Sequence, residues 1–291
     1  YKRQGELHAM CYDYANKFET IDYVVIDKNG SHKKTQTIPF ETRSMLHECA
    51  ITENYVLVLD LSVTFSLERL GGGYFPFAWD DNHQSRIGLL DRNDESQDVR
   101  WFEIESTYFF HTFNAYEDKN GDVVVSATAY DRLFDKDRNG PFTESSPHLR
   151  RWILDLKSGS AKSEQLDDRS IEFPRIHPDL VSKSNQFGYA LASSNSKKPD
   201  FKEIVKYDFV NDSSEVYEYG SGNFGAEPVF VPSEGANDED EGYLLSLVYD
   251  QETDKSDLII LNAQEVSSGP LAKVHLPQRV PFGFHGDWIN I

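Results

Sequence analysis

Positive charge is in short supply. Against 49 Asp and Glu the chain carries 29 Lys and Arg, a formal charge of −20. Nucleic-acid binding needs clustered cations to neutralise phosphates. The pairs Lys33-Lys34, Arg150-Arg151 and Lys197-Lys198 are too few to reverse the balance, so no nucleic-acid partner is expected and the acidity reads as solubility. Cysteine is nearly absent. Cys11 and Cys49 make neither a disulfide framework nor a zinc motif, and reduced thiols in a cytoplasmic setting are the simplest expectation. No apolar run reaches the roughly 18 residues of a membrane-spanning helix, and no signal-peptide pattern opens the chain. Residue 1 is Tyr and starts in mid-pattern, which suggests that a front segment is missing. Hydrolase machinery is lacking as well. There is no Gly-x-Ser-x-Gly elbow and no Cys-His signature. Gly71-Gly72-Gly73 has no Lys-Ser/Thr after it, so it is a loop and not a phosphate cradle.

What remains is β texture. Ile21–Ile26, then Asp27-Lys28-Asn29-Gly30, then Thr35–Ile38 reads as strand, turn, strand, and Asp118-Lys119-Asn120-Gly121 repeats the device before Val123. Tyr55–Leu61 and Gly242–Asp250 are almost continuously apolar and read as buried inner strands. Arg151–Leu156 and Ile204–Phe209 alternate, as half-buried strands do. Convincing helices are absent. Hairpin groups recur at roughly 40–50 residues, the blade length of propellers. Acidic stretches such as Ala236–Glu241, and the polar run Ser193–Lys198, read as solvated connections. No linker interrupts the pattern, so one domain over 1–291 is expected, incomplete at its front.

Three histidines stand in apolar surroundings on segments far apart in the chain. They are His47 in Met45-Leu46-His47-Glu48-Cys49, His111 in Tyr108-Phe109-Phe110-His111-Thr112-Phe113, and His285 in Phe282-Gly283-Phe284-His285-Gly286-Asp287-Trp288. Each alone fits a satisfied core side chain. Together they suggest one non-haem metal centre, because neutral imidazole suits iron, copper and zinc and a propeller can bring inner strands of different blades to one axis. A metal-bound His usually passes its other N–H to a carboxylate or carbonyl. Glu172, before Phe173-Pro174-Arg175, and Glu227, before Pro228, are carboxylates in apolar settings that could serve. Phe110, Phe113, Phe284 and Trp288 flank the ligands and could line an apolar tunnel, or simply pack. His8, His32, His83, His148, His177 and His275 read as structural or solvated.

Seven segments resemble, in order and spacing, the carotenoid cleavage oxygenase family. They are Gly5–Met10; Met45-Leu46-His47 with Ala50–Tyr55; Ser85–Leu90; Trp101-Phe102-Glu103 through His111–Glu117; Glu172–Ile176; Gly225–Pro232; and Phe284-His285-Gly286. The resemblance implies an all-β, seven-bladed β-propeller, present here as roughly its C-terminal five blades, N-terminally truncated, with Fe(2+) on its axis held by four histidines. His47, His111 and His285 match the second, third and fourth of these. His8 matches a non-ligand position, and the first ligand is expected upstream of residue 1. Glu172 would orient His111 and Glu227 would orient His285, while the partner of His47 is expected upstream. The implied reaction splits one C=C bond of a carotenoid or apocarotenoid with O₂ to give two carbonyl products. A lignostilbene or other stilbene substrate, or a retinoid-isomerase-like activity, would use the same iron site, and a non-catalytic propeller scaffold is the contrasting class. Peripheral membrane contact is expected through the missing front.

Overall fold

In the computed structural model, residues 2–289 are described apart from 4, 14–16, 97, 142 and 194–199. Most of the expected polar run Ser193–Lys198 therefore lies outside the described residues. Five antiparallel sheets follow one another along the chain, the run of blades expected from the hairpin spacing. The first sheet orders its strands as Lys2–Arg3, Glu6–Asp13, Lys17–Ile26 and His32–Pro39. In the second, Ala50–Ile51 is one edge, followed by Tyr55–Asp60, Arg86–Asp91 and Arg100–Glu103. Tyr108–Glu117, Val123–Tyr130, His148–Leu154 and Ala161–Gln165 form the third, and Ser170–Arg175, Phe187–Ser193, Glu203–Asp208 and Ser213–Glu218 the fourth. In the fifth, both Asn223–Gly225 and Val229–Pro232 pair with Gly242–Asp250, which leads to Lys255–Asn262 and Pro270–His275. A two-stranded flap, Val63–Phe65 with Phe77–Trp79, carries the one short α-helix among the described residues, Leu67–Gly71. No helix among them is long and apolar enough to cross a membrane.

The turn chemistry works as read. Asp27 Oδ1 accepts the backbone N–H groups of Asn29 and Ser31 at 2.8 and 2.9 Å, and Gly30 takes φ 80°. Asp118 repeats this on Asn120 and Asp122, with Gly121 at φ 86°. The positive φ is the conformation that glycine adopts without a Cβ penalty.

The core is a series of layers between blades. Val56 and Val58 join Ile21, Tyr23 and Val25 between the first and second sheets, while Leu57 and Leu59 face the third. The same alternation divides Ala190 and Val205 from Leu191 and Ile204 on either side of the fourth sheet. Tyr55–Asp60 and Phe187–Ser193 are thus buried on both faces, which is why their sequence is continuously apolar; Gly242–Asp250, expected to be buried in the same way, alternates instead and leaves Tyr243 exposed. At roughly 25 cal/mol per Å² of apolar surface removed from water, these interblade layers are the main stabilising term.

Beside the flap, Asp60 is fully buried and accepts Arg86 Nε at 2.8 Å and Thr42 Oγ1 at 2.8 Å, with His83 Nε2 at 3.0 Å. Burial alone would push the Asp60 carboxyl up, and its partners together hold it below its ordinary range. Burial pulls His83 down, and Asp60 outweighs that and lifts it above its ordinary value. The His83 contribution is therefore full below the ordinary imidazole pKa and lost as pH rises through the raised value. The Asp60 contribution is full above the ordinary carboxylate pKa and lost in acid. Between about pH 6 and pH 8 the wild-type melting temperature should fall further than that of His83→Gln. Parallel curves for the two proteins would remove His83 from the ion pair.

Candidate metal centre

The three apolar histidines come together. His47 lies on the loop entering the edge strand Ala50–Ile51, His111 on the edge strand Tyr108–Glu117, and His285 on the irregular stretch after the last strand. One ring nitrogen from each lies within 4.8 Å of the others. The His111 ring meets the other two nearly edge-on, with centroids 5.4 Å from His47 and 4.8 Å from His285. Local irregularity makes this possible. The pairing of the His111 strand with Val123–Tyr130 shifts register between Phe109 and Thr112 and again between Thr112 and Asn114. Such bulges re-aim side chains that plain alternation would send elsewhere.

Two carboxylates fix the rings. Glu172, 4% exposed, takes His111 Nδ1 at 2.7 Å on Oε2, together with the Phe173 N–H at 2.9 Å, and Oε1 accepts the Tyr130 hydroxyl at 3.1 Å. Glu227, equally buried, takes His285 Nδ1 at 3.1 Å and the Gly286 N–H at 2.9 Å. Because a carboxylate only accepts, Nδ1 carries the proton in both rings and Nε2 keeps its lone pair. His111 Nε2 is buried with no hydrogen-bond partner. Burial pulls His111 down, but the Glu172 carboxylate raises it further, to a net position above its ordinary value. His47 keeps an exposed edge, yet the groups packed on its ring partly desolvate it, and this first, then the two neighbouring imidazoles, hold it below its ordinary value. Among the described residues no carboxylate bonds the His47 ring. Phe110 packs edge-on against it at 5.0 Å, and Phe173 stacks on His111 at 5.4 Å.

Three converging imidazoles with free lone pairs, one of them a buried unsatisfied nitrogen, fit a borderline transition-metal ion. An orphaned buried nitrogen is costly unless something occupies it. The donor set and its carboxylate supports therefore fit the metal that the sequence suggested.

The four aromatic residues separate. Phe110 borders the cluster. Phe113 is buried in the layer between the third and fourth sheets, edge-on to Tyr207 and Phe209. Phe284 and Trp288 present their rings to solvent, 74% and 50% exposed. The remaining histidines have local partners: His8 with Tyr23, His32 with Thr35, His83 with Asp60, His148 with the Arg169 carbonyl, His177 with the Asp179 N–H, and His275 with Asp257. Three supporting residues escaped sequence reasoning. Glu48 accepts the Thr112 N–H at 2.5 Å and so ties the His47 loop to the His111 strand. Tyr130 braces Glu172, and Arg175 Nη2 donates to Glu227 at 2.9 Å. Glu48 adjoins one of the motifs and Arg175 lies within another, which was the available signal, whereas Tyr130 ends an ordinary strand and carried none.

The chain is similar to known proteins in sequence and in fold. Over 98% of its length the chain is 35% identical to a carotenoid cleavage oxygenase of Mycobacterium tuberculosis, and over 96% it is 32% identical to a carotenoid 9,10(9',10')-cleavage dioxygenase of Crocus sativus. It spans 66% and 54% of the lengths of these relatives. A variant of the Synechocystis apocarotenoid oxygenase superposes with a TM-score of 0.86 at 25% identity, covering 98% of this chain and 60% of that one. A cobalt-substituted form of the Synechocystis enzyme gives the same TM-score, identity and coverage. The family model described as retinal pigment epithelial membrane protein matches residues 1–290. The chain belongs to that family, which includes the carotenoid cleavage oxygenases.

Proposed function

We propose that His47, His111 and His285 are ligands of a non-haem Fe(II) ion, and that the protein cleaves a C=C bond of a carotenoid or apocarotenoid with O₂. Two carbonyl products account for both oxygen atoms. The observation that carries this reading is the convergence of three ring nitrogens within 4.8 Å, one of them buried and unpartnered. The names of the relatives support the substrate class, and the cobalt-substituted neighbour supports a metal in this fold.

When bound, Fe(II) supplies the activation of dioxygen. The chain's own residues prepare for it. Glu172 and Glu227 hold protons on the Nδ1 atoms of His111 and His285, so that both rings face inward as neutral donors. Phe110 packs against His47 and Phe173 against His111, apolar surface beside the cluster that suits an apolar polyene. Tyr130 and the Phe173 N–H satisfy the remaining acceptor capacity of Glu172.

Incubation of the full chain with Fe(II), O₂ and either a β-apocarotenal or a lignostilbene, followed by identification of aldehydes, tests the reaction. Aldehydes from the apocarotenal support the reading. Aldehydes from the stilbene alone move the substrate to that branch, and neither product from iron-loaded protein overturns the reading. Glu172→Gln should weaken iron affinity about 10–100-fold, the usual cost of losing such a support. Unchanged affinity would remove Glu172 from the site.

A further inference from the structure

One strand, Ser170–Arg175, supplies supports to two arms of the cluster. Glu172 serves His111, and three residues further on Arg175 reaches Glu227 and Gly286. In a plain strand residues three apart face opposite ways. Here Glu172 pairs with Leu191 and Arg175 with Tyr189, so one extra residue is inserted, and Phe173 takes φ 55°. The bulge turns both side chains toward the histidines.

Arg175 closes a ring of contacts. Its Nη2 donates to Glu227 Oε2 at 2.9 Å and to the Gly286 carbonyl, while its Nε, 2.9 Å from Glu227 Oε1, adds charge attraction without a hydrogen bond. Glu227 in turn accepts from His285 Nδ1 and from the Gly286 N–H. The stretch bearing His285 has no strand of its own. Ser256 ties it to the fifth sheet at Leu276 and Val280, and Phe282 packs edge-on to Phe224 and Tyr249. Between Pro281 and Gly286, among the described residues, polar ties to the rest of the fold run only to Glu227 and Arg175.

We propose that Arg175 is the positioning residue of the His285 arm, its Nη2 bridging Glu227 and the Gly286 carbonyl so that an irregular stretch delivers its imidazole in one orientation. The proposal rests on His285 being a metal ligand. It makes two arms unequal. Among the described residues Glu172 accepts only from His111, Tyr130 and a backbone N–H, whereas Glu227 also faces a guanidinium, which weakens its pull on the His285 N–H. His285 is therefore the weaker donor and the more dependent on being held. A lysine keeps the charge, but on a flexible stem without the rigid planar group that holds Nη2 between the carboxylate and the carbonyl.

The test compares wild type with Arg175→Met and Arg175→Lys, each checked for folding by its melting curve. In metal-free protein, hydrogen exchange at the Gly286 amide should accelerate in both variants. With Co(II) alone as the probe, affinity should fall about 10–100-fold with altered visible d–d bands. In a Glu227→Gln background, Arg175→Met should add little, because the two residues act through one contact. Full rescue by Arg175→Lys would show that charge suffices and overturn the positioning role of the guanidinium. Unchanged Gly286 exchange in folded Arg175→Met overturns the proposal whatever the metal does. Failure of wild type to bind Co(II) would instead strike the metal reading, leaving the exchange measurement to judge Arg175. Should Arg175→Met not fold, Arg175→Lys carries the same comparison.

Discussion

His111→Ala should strip the protein of iron and lower apparent affinity by more than the roughly 100-fold that loss of a supporting residue costs. The reason is positional. His111 is the middle ring of the three, in contact with both others, and its Nε2 is the buried atom without a partner. Its removal leaves His47 and His285, both exposed to solvent, with no buried donor between them. It also takes from the buried Glu172 Oε2 its imidazole partner and leaves that oxygen only the Phe173 N–H, which is unfavourable in its own right. Iron content measured by atomic emission on the folded variant checks this. Iron retained at the wild-type level would remove His111 from the ligand set.

Trp152→Ala should cost about 3–5 kcal/mol of stability, the range for deleting a large buried aromatic. For a chain of this size that corresponds to a fall of roughly 10 °C in melting temperature. Trp152 is completely buried in the layer between the second and third sheets, 5.2 Å from Phe109, and its indole N–H donates to Glu105 at 3.2 Å. Phe109 precedes the bulge that turns His111 inward, so the cavity would open directly behind the ligand strand. Iron affinity should therefore fall along with stability, which calorimetry and metal titration on the same sample can show. A melting temperature within a degree or two of wild type would mean that the layer collapses around the gap.

What could be read in advance follows from the physics of each signal. The strands and turns were legible because Asx-Gly turns and double-sided burial leave local marks, as at Asp27–Gly30 and Tyr55–Leu61. The three histidines were legible because a polar ring in an apolar segment is costly, and the resemblance supplied the order. The placement of Phe113 was not. Period-2 alternation groups Phe113 with His111 and separates Phe110 from it. The two register shifts around Thr112 break that grouping, and Phe113 packs between blades while Phe110 borders His47. Phe284 and Trp288 adjoin His285 in sequence, but an irregular stretch imposes no shared face, and their rings stay exposed. Arg175 was hidden in the same way, since only the bulge at Phe173 brings it to the side of Glu172.

Anomalous diffraction at the iron edge, on crystals of protein loaded with Fe(II), probes the shared metal directly. A single peak within bonding reach of His47, His111 and His285, absent in His111→Ala, is the result expected. Iron bound elsewhere, or a peak that survives loss of that ring, would contradict the account.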